Sequence, residues 1–430
     1  MRVLFVRPYT HNLDARRTAT ASDSLGFNVT CADALASGLT ERGVELTSVS
    51  GRGEQTAWVG RCLAEFEHLL ASTSPDAVLA FHAFWPFTMD LRRIMDDVGY
   101  GGPLVTYTHG SHWDPTDLFR FERYPRMAWA DLGNLLCADR VFAVSEWMAG
   151  TILASVRSAS KAAAEELEPR LRTVGLPLDL ARIDAARQPE DTGPPTVIFN
   201  HAPVTAKRPE VFFELAWELL RRTDARLLVT RRFPAPSPGL ARLTRSYPGR
   251  VTLGGDLPID DYYAALWRAQ VQASVATHES LGVATLEAMA TRNCCLLPRI
   301  GAYPEITEPG ALYDNPGDLL SALVDAVRDE APRRALADRQ MARARATYSP
   351  QRVAKAIHEA LLEVALPGGA PGYHSNADEY HRPNLLISLA ISAWPGCVRQ
   401  FTATPSELAS TRNSFRLTRI RSLSPDSSSE

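Results

Sequence analysis

Short apolar segments alternate with longer amphipathic segments along most of the chain. Strand-type runs include RVLFV at 2–6, AVLAF at 77–81 and VFAV at 141–144, and helical patterns lie between most of them. Parallel strands that are covered by helices on both faces are apolar along their whole length. The alternation therefore predicts a doubly wound α/β domain over residues 1–186.

The alternation pauses at RQPEDTGPP and then begins again. This polar stretch, residues 187–195, is rich in Pro and Gly and is typical of an interdomain linker. A second Rossmann-like domain is predicted over 196–347, followed by a terminal packed helix over 348–366 that starts at Ser-Pro. The Ser-, Thr- and Arg-bearing extension at 367–430 is predicted to be largely disordered. Two such domains would face each other across a cleft, with ligands at the carboxyl ends of the strands.

Composition and charge are those of a soluble, multidomain globular protein. The chain has 430 residues, 45% of them hydrophobic and 22% charged, and its net charge of −3 does not favour nucleic acid. The six scattered cysteines form no C-x-x-C pair, so we expect neither a disulfide framework nor a zinc site. The apolar N-terminal run is too short for a signal peptide, and no run reaches the roughly 20 apolar residues that span a bilayer. We predict a cytoplasmic protein whose tail arginines would allow peripheral contact with a membrane.

The segment HESLGVATLEAMA, residues 278–290, carries the strongest candidate chemistry. It follows the apolar run VQASVA and predicts a strand, a turn and a helix, which places 280–283 at a helix N-terminus. Free amides and the positive end of the helix dipole suit a phosphate there, and Gly282 allows a ligand to approach closely. Glu279 and Glu287 can accept hydrogen bonds from hydroxyls on either side of a diphosphate. Two glutamates at this spacing also occur by chance on solvated helix faces.

The same segment resembles the donor-site signature of retaining glycosyltransferases of family 4, which have the GT-B fold. GAYPEI, VFAVSEWMAG and VTYTHG resemble further elements of that family, and the similarity is piecewise over about 1–365. YPEI and FNHAPVTAKRPEVFF are also similar to the donor domain of tRNA-queuosine mannosyltransferase-like proteins. The resemblance implies transfer of a hexose-type sugar from a nucleoside-diphosphate sugar, without a metal or other cofactor.

The resemblance also implies roles for individual residues of the donor site. Glu279 would contact the hexose hydroxyls, Glu287 the ribose hydroxyls, and Lys207 the diphosphate. The backbone amides at the turn would meet the sugar and the diphosphate: Ser280, Leu281, Gly282 and Val283. The family usually has an arginine five residues before the lysine, where this chain has Ala202. Arg208 is the candidate replacement, and otherwise the site has one cation fewer.

The N-terminal half contributes weaker candidates. His109 in YTHGSHW is implied to lie near the donor sugar and the acceptor, where it would act with Glu279 in catalysis. His112 and Trp113 are candidate acceptor contacts, and packing of Trp113 is as plausible as stacking on a sugar. Gly26 and Phe27, in the loop 18–28, would approach the donor, with an ordinary surface loop as the alternative.

Three functional hypotheses stay open at this point. The first is a retaining glycosyltransferase whose acceptor is a glycan, a lipid-linked sugar or a natural product. The second is a nucleotide-sugar epimerase or a sugar phosphorylase, because one fold hosts many activities. The third is an inactive accessory subunit that only binds nucleotide-sugars, a reading that the missing arginine at Ala202 keeps open.

Overall fold

Two parallel six-stranded sheets organise the chain, one on either side of the predicted linker. The computed structural model describes residues 1–7, 27–50, 55–84, 87–189, 192–233 and 237–365. Both sheets and the helices around them belong to one compact unit.

The strands of the N-terminal sheet are β1 (Arg2–Val6), β2 (Glu45–Val49), β3 (Ala77–Ala80), β4 (Leu104–Thr108), β5 (Arg140–Ala143) and β6 (Leu171–Thr173). Their order across the sheet is β2-β1-β3-β4-β5-β6. The strands of the C-terminal sheet are β7 (Thr196–Phe199), β8 (Arg226–Val229), β9 (Val251–Leu253), β10 (Val271–Ala273), β11 (Cys294–Pro298) and β12 (Leu312–Tyr313). Their order is β12-β11-β10-β7-β8-β9.

The helices of the N-terminal half are α1 (Phe27–Glu41), α2 (Gln55–Thr73), α3 (Thr88–Asp97), α4 (Pro125–Leu136), α5 (Glu146–Ala159), α6 (Lys161–Leu167) and α7 (Leu180–Ala185). Those of the C-terminal half are α8 (Pro209–Arg222), α9 (Pro238–Ser246), α10 (Ile259–Arg268), α11 (Val283–Ala290), α12 (Tyr303–Ile306), α13 (Pro316–Arg328), α14 (Glu330–Thr347) and α15 (Pro350–Ala365).

Helices cover both faces of each sheet, and this explains the apolar strands. Every residue of β4 and of β11 is buried, as are Val3 to Val6 of β1. Burial of aliphatic and aromatic side chains on both faces makes each sheet a packed frame. The frame holds the loops at the carboxyl ends of its strands in place.

The strands predicted at 2–6, 77–81 and 141–144 appear within one residue of their expected positions, as β1, β3 and β5. Ser145, which follows VFAV, belongs to a residue type that commonly caps helices, and its Oγ accepts a hydrogen bond from Met148 N at 3.1 Å. The edge strands β6 and β12 had no sequence signal, because they are only two or three residues long and only partly buried.

The last helix of the described chain, α15, packs on α1 of the N-terminal half. A Cβ on Gly38 would lie 2.6 Å from Pro350 O and 2.9 Å from the Cβ of Ala354, so the close approach requires glycine there. Gln351 Nε2 adds a hydrogen bond of 3.0 Å to the Glu41 carboxylate. The terminal helix therefore ties the C-terminal half of the chain to the N-terminal sheet.

Three further expectations concern membrane-spanning helices, the cysteines and the C-terminal extension. Within the described ranges, no helix combines the length and apolar character needed to cross a bilayer. The cysteines at 31, 62, 137, 294 and 295 are free thiols. The extension at 367–430 lies outside the described residues.

Candidate active site

The strand order of the C-terminal sheet reverses between β7 and β10. The chain runs outward from β7 to β8 and β9, and then returns to place β10 on the other side of β7. Ligands of doubly wound sheets bind outside the carboxyl ends of the strands at such a reversal. Asn200 and His201 follow β7 at this point, and the segment 274–282 follows β10.

A cavity of about 250 Å³ opens at this reversal and is lined from both halves of the chain. The N-terminal half contributes three residues: His109, Val144 and Leu176. The C-terminal half contributes most of the polar lining, which includes Asn200, His201, Lys207, Arg231, Tyr262, Glu279 and Glu287. The volume lies near the lower end of the range for small-molecule sites, about 300 Å³.

Lys207 and Glu279 form an ion pair beside the N-terminus of α11. Lys207 Nζ lies 2.6 Å from Glu279 Oε2, and it also donates to the His278 carbonyl at 3.3 Å. The Tyr303 hydroxyl donates to Glu279 Oε2 at 3.1 Å, which holds the carboxylate from the other side. Both members of the pair are largely buried, with side chains 17% and 12% exposed. The predicted cation and the first predicted acid therefore meet in the cavity.

The turn that carries Glu279 depends on two glycines. Gly282 precedes α11 with φ of 92°, a left-handed conformation that favours glycine. Gly301 also has positive φ, and a Cβ there would lie only 2.3 Å from Glu279 O. Ala302 N donates to the same carbonyl at 3.1 Å. The GAYPEI segment thus packs against the backbone of Glu279 and holds it in place.

Glu287 lies on α11 and is buried, with 6% of its surface exposed. Tyr262 donates to its Oε2 at 2.9 Å and Tyr263 donates to its Oε1 at 3.1 Å. Burial raises the pKa of Glu287 to about 7, although the two hydroxyls and the charge of Arg231 oppose the rise. The second predicted acid is therefore a hydrogen-bonded, buried group and not a solvated surface acid.

His109 is a neutral imidazole in the N-terminal wall of the cavity. Its Nε2 lies 2.6 Å from the Phe81 carbonyl oxygen, which can only accept, so Nε2 carries the proton. Burial lowers the pKa of His109 to about 4. Its ring stacks on that of His82 at a centroid distance of 5.0 Å. At neutral pH the other ring nitrogen, Nδ1, is consequently an acceptor.

The N-terminus of α5 contacts the C-terminal half beside the cavity. Ser145 Oγ donates to the Ser280 carbonyl at 2.6 Å. Glu146 N donates to Glu305 Oε2 at 3.0 Å, and Trp147 N donates to Glu305 Oε1. A carboxylate at a helix N-terminus is favourable because it meets free amides and the positive end of the dipole. This set of contacts closes one side of the cleft.

His278, the residue before Glu279, is held by the loop after β4. Its Nδ1 lies 3.3 Å from Asp114 Oδ2 and 2.9 Å from Thr116 Oγ1, while its Nε2 lies 3.4 Å from Asp117 Oδ2. Both ring nitrogens of His278 therefore face polar side chains of this loop. The turn before α11 is thereby anchored to the N-terminal half on a second side.

Several predicted site residues lie elsewhere. Arg208 is exposed, has φ of 45° and does not line the cavity, so its donor role stays a prediction without support here. Ala202 does line the cavity. Gly26 lies outside the described residues, and for Phe27 only its place at the start of α1 is described.

The two acceptor candidates line a different cavity of about 530 Å³ in the N-terminal half. His112 lies 3.6 Å from the carboxylate of the buried Asp131. Trp113 is only 2% exposed and donates its Nε1–H to Ala128 O at 2.8 Å, with its ring packed against that of Phe121. Their acceptor roles stay predictions, and the burial of the Trp113 ring counts against stacking on a sugar.

Sequence reasoning missed three kinds of site residue: His201, the two tyrosines that donate to Glu287, and Arg231. A sequence signal existed for the first, since His201 directly follows a predicted strand in TVIFNHA. The tyrosines lie in DDYYAALW, where periodicity alone predicts core packing. Arg231 stands beside Arg232 in a polar segment, and nothing local distinguishes the two.

Solved structures with this architecture have the GT-B fold, and the chain shares it. Sucrose-phosphate synthase (tll1590) from Thermosynechococcus elongatus is 15% identical, with a TM-score of 0.63 over 84% of this chain and 98% of that one. The catalytic domain of starch synthase IV from Arabidopsis thaliana, bound to ADP and acarbose, is 10% identical, with a TM-score of 0.63 over 85% and 99%. Anabaena Alr3699/HepE in complex with UDP and glucose is 14% identical, with a TM-score of 0.56 over 84% and 99%. At these identities the likeness concerns the fold.

The C-terminal half has a further match at the level of sequence. Residues 195–329 match the family model described as glycosyl transferases group 1. This segment contains the whole C-terminal sheet and three of the predicted donor residues, Lys207, Glu279 and Glu287. The finer resemblances, to family 4 and to queuosine mannosyltransferase-like proteins, stay predictions.

Proposed function

We propose that this protein is a retaining glycosyltransferase that moves a hexose-type sugar from a nucleoside-diphosphate sugar to an acceptor hydroxyl. One observation carries the proposal. A cation and two acids lie in one interdomain cavity at the N-terminus of α11, within the segment that matches the glycosyl transferases group 1 model.

The charges of the cavity suit the departure of a diphosphate. Negative charge builds on the leaving group as the bond to the sugar breaks, and preorganised donors stabilise it. Lys207 supplies a positive charge, and the first turn of α11 supplies amides without intrahelical acceptors. Glu279 accepts from sugar hydroxyls and keeps the Lys207 ammonium in place.

In a retaining transfer, the N-terminal wall of the cavity would position the acceptor hydroxyl. The acceptor hydroxyl would attack from the face that the diphosphate leaves, and the departing phosphate oxygen would receive its proton. Neutral His109 can accept a hydrogen bond at Nδ1 from a sugar or acceptor hydroxyl. The contacts of Glu305 and His278 across the cleft would exclude water once the donor is bound.

Replacement of Lys207 tests the donor site most directly. The purified protein is incubated with UDP-, GDP-, ADP- and dTDP-sugars and a pool of glycan, lipid-linked and aglycone acceptors, and release of nucleoside diphosphate is followed. Lys207→Ala should reduce the release at least 100-fold, whereas Lys355→Ala, an exposed lysine on α15, should not change it. NMR of the product should show the anomeric configuration of the donor.

Other outcomes point to the alternative functions. Isomerised donor sugar without an acceptor would identify an epimerase. Cleavage of a glycan by inorganic phosphate, with formation of a sugar 1-phosphate, would identify a phosphorylase. If the protein binds a nucleotide-sugar but shows no turnover with any of the acceptors, it would be an accessory subunit. Inverted product would contradict the retaining course while leaving glycosyl transfer intact.

A further inference from the structure

Arg231 enters the donor cavity from a strand that sequence reasoning did not connect with the site. It follows β8 and Thr230, and β8 lies beside β7, whose carboxyl end carries His201. Because neighbouring parallel strands end at the same edge, Arg231 reaches the same cavity as Lys207 and Glu287. These are the two cations among the described residues that line the cavity.

The guanidinium of Arg231 has hydrogen-bonding capacity that the described residues do not use. Its Nε is buried and has no acceptor among them. By contrast, Lys207 is paired with Glu279, and Arg232 lies 3.9 Å from Asp256 at the surface. A buried N–H without an acceptor costs free energy, and a ligand oxygen would remove that cost.

The position of the guanidinium is defined by an aromatic ring. Arg231 Cζ lies 5.7 Å from the ring centroid of Tyr262, the same tyrosine that donates to Glu287. Such a cation–π contact restrains the side chain without using its N–H groups. The planar fork of donors therefore remains available to a ligand in the cavity.

His201 reports the combined field of the two cations. It is 2% exposed, and its pKa is lowered to about 3, first by burial and then by the charges of Lys207 and Arg231. The imidazole thus stays neutral between two positive charges. Glu279 balances one cation, and Glu287, with a pKa near 7, balances the other only in part. The positive charges of the cavity lining are therefore not fully balanced, and an anionic ligand would bind favourably there.

We propose that Arg231 binds the phosphate oxygens of the nucleoside diphosphate, as a second cation opposite Lys207. The inference rests on the proposed function and names the group that completes its leaving-group site. A guanidinium suits this task because its fork matches two phosphate oxygens at once. Arg208, by contrast, is exposed outside the cavity.

Calorimetric titration with UDP, GDP, ADP and dTDP first selects the diphosphate that the native protein binds most tightly. That diphosphate and its nucleoside are then titrated against Arg231→Ala, Arg231→Lys and Arg232→Ala. We expect Arg231→Ala to weaken the diphosphate roughly 10- to 100-fold and the nucleoside less than 2-fold, because only the charged hydrogen bonds are lost. Arg231→Lys should retain part of the affinity, and Arg232→Ala, the matched neighbour, all of it.

The titrations distinguish a failure of the Arg231 inference from a failure of the proposed function. Equal diphosphate affinity in Arg231→Ala and the native protein would overturn the inference and leave the proposed function standing. An equal loss for diphosphate and nucleoside would also overturn it, since it would show a packing role over Tyr262. Absence of binding by the native protein for all four diphosphates would overturn the proposed function as well. If Arg231→Ala does not fold, Arg231→Gln gives the same comparison.

Discussion

The two walls of the cleft differ in charge. The C-terminal wall carries Lys207, Arg231, Glu279 and the buried Glu287, whereas the N-terminal wall presents a neutral histidine with Val144 and Leu176. Fixed charges suit a ligand whose charged part is the same in every turnover, and the diphosphate is such a part. A neutral wall suits hydroxyls and apolar groups, which are the variable part of acceptors. Under the proposed function, we expect the C-terminal wall to supply affinity for the donor and the N-terminal wall to position the attack.

The largest effect should come from neutralising an acid of the charged wall. Glu279→Gln keeps the side-chain volume but removes the charge that pairs with Lys207. We expect kcat/KM to fall roughly 100- to 1000-fold, measured as diphosphate release. Glu308→Gln is the control, because Glu308 pairs with Arg339 at the surface. Full activity of Glu279→Gln would remove the distinction between the walls.

The pH dependence of stability probes the second acid of the same wall. Burial raises the pKa of Glu287 to about 7 from an ordinary value of 4.5, so the folded protein holds this proton more tightly than the unfolded chain. The contribution of Glu287 to the unfolding free energy should therefore fall by up to about 3 kcal/mol as the pH rises from about 4.5 to above 7. Urea unfolding of the native protein and of Glu287→Gln measures it as a difference. Parallel pH profiles for the two proteins would show that the glutamate ionises normally.

A substitution in the neutral wall should lower kcat and leave the affinity for the diphosphate nearly unchanged. His109→Asn removes the imidazole that lies against the Phe81 carbonyl. We expect kcat to fall about 10- to 100-fold, while the dissociation constant for the nucleoside diphosphate changes less than 2-fold. His68→Asn, on the exposed side of α2, is the control. A loss of diphosphate affinity equal to the loss of kcat would place His109 in the donor site.

The smallest effect should come from the contact that joins the walls. Glu305→Ala removes the carboxylate that accepts from Glu146 N and Trp147 N at the start of α5. Since such contacts contribute about 1 kcal/mol, we expect KM for the donor to rise a few-fold with a smaller change in kcat. Glu308→Ala, three residues further on, should leave both constants unchanged. An unchanged KM in Glu305→Ala would show that this contact does not hold the cleft closed.

The architecture was largely predictable, because it follows from local patterns. Fully apolar runs such as those of β4 and β11 indicate strands covered on both faces, and Ser145 indicates a helix start. Short edge strands such as β6 carry no comparable pattern. The two predicted acids were recognisable because they lie in HESLGVATLEAMA, and Lys207 was recognisable because it lies in FNHAPVTAKRPEVFF. Arg208 was proposed because it adjoins Lys207 in the chain, whereas Arg231 is distant in sequence and was not considered.

By itself, the sequence determined the alternation of strands and helices, the glycine turn before α11, and the residue types that could hold a diphosphate. These are properties of near neighbours in the chain, which periodicity and backbone preferences reveal. Only the tertiary structure decided that Arg231 and Tyr262 join Lys207 and Glu287 in one cavity, and that burial raises the pKa of Glu287. The physical reason is that strand order and burial arise from packing between distant segments, and no local pattern records which strand ends meet at one edge.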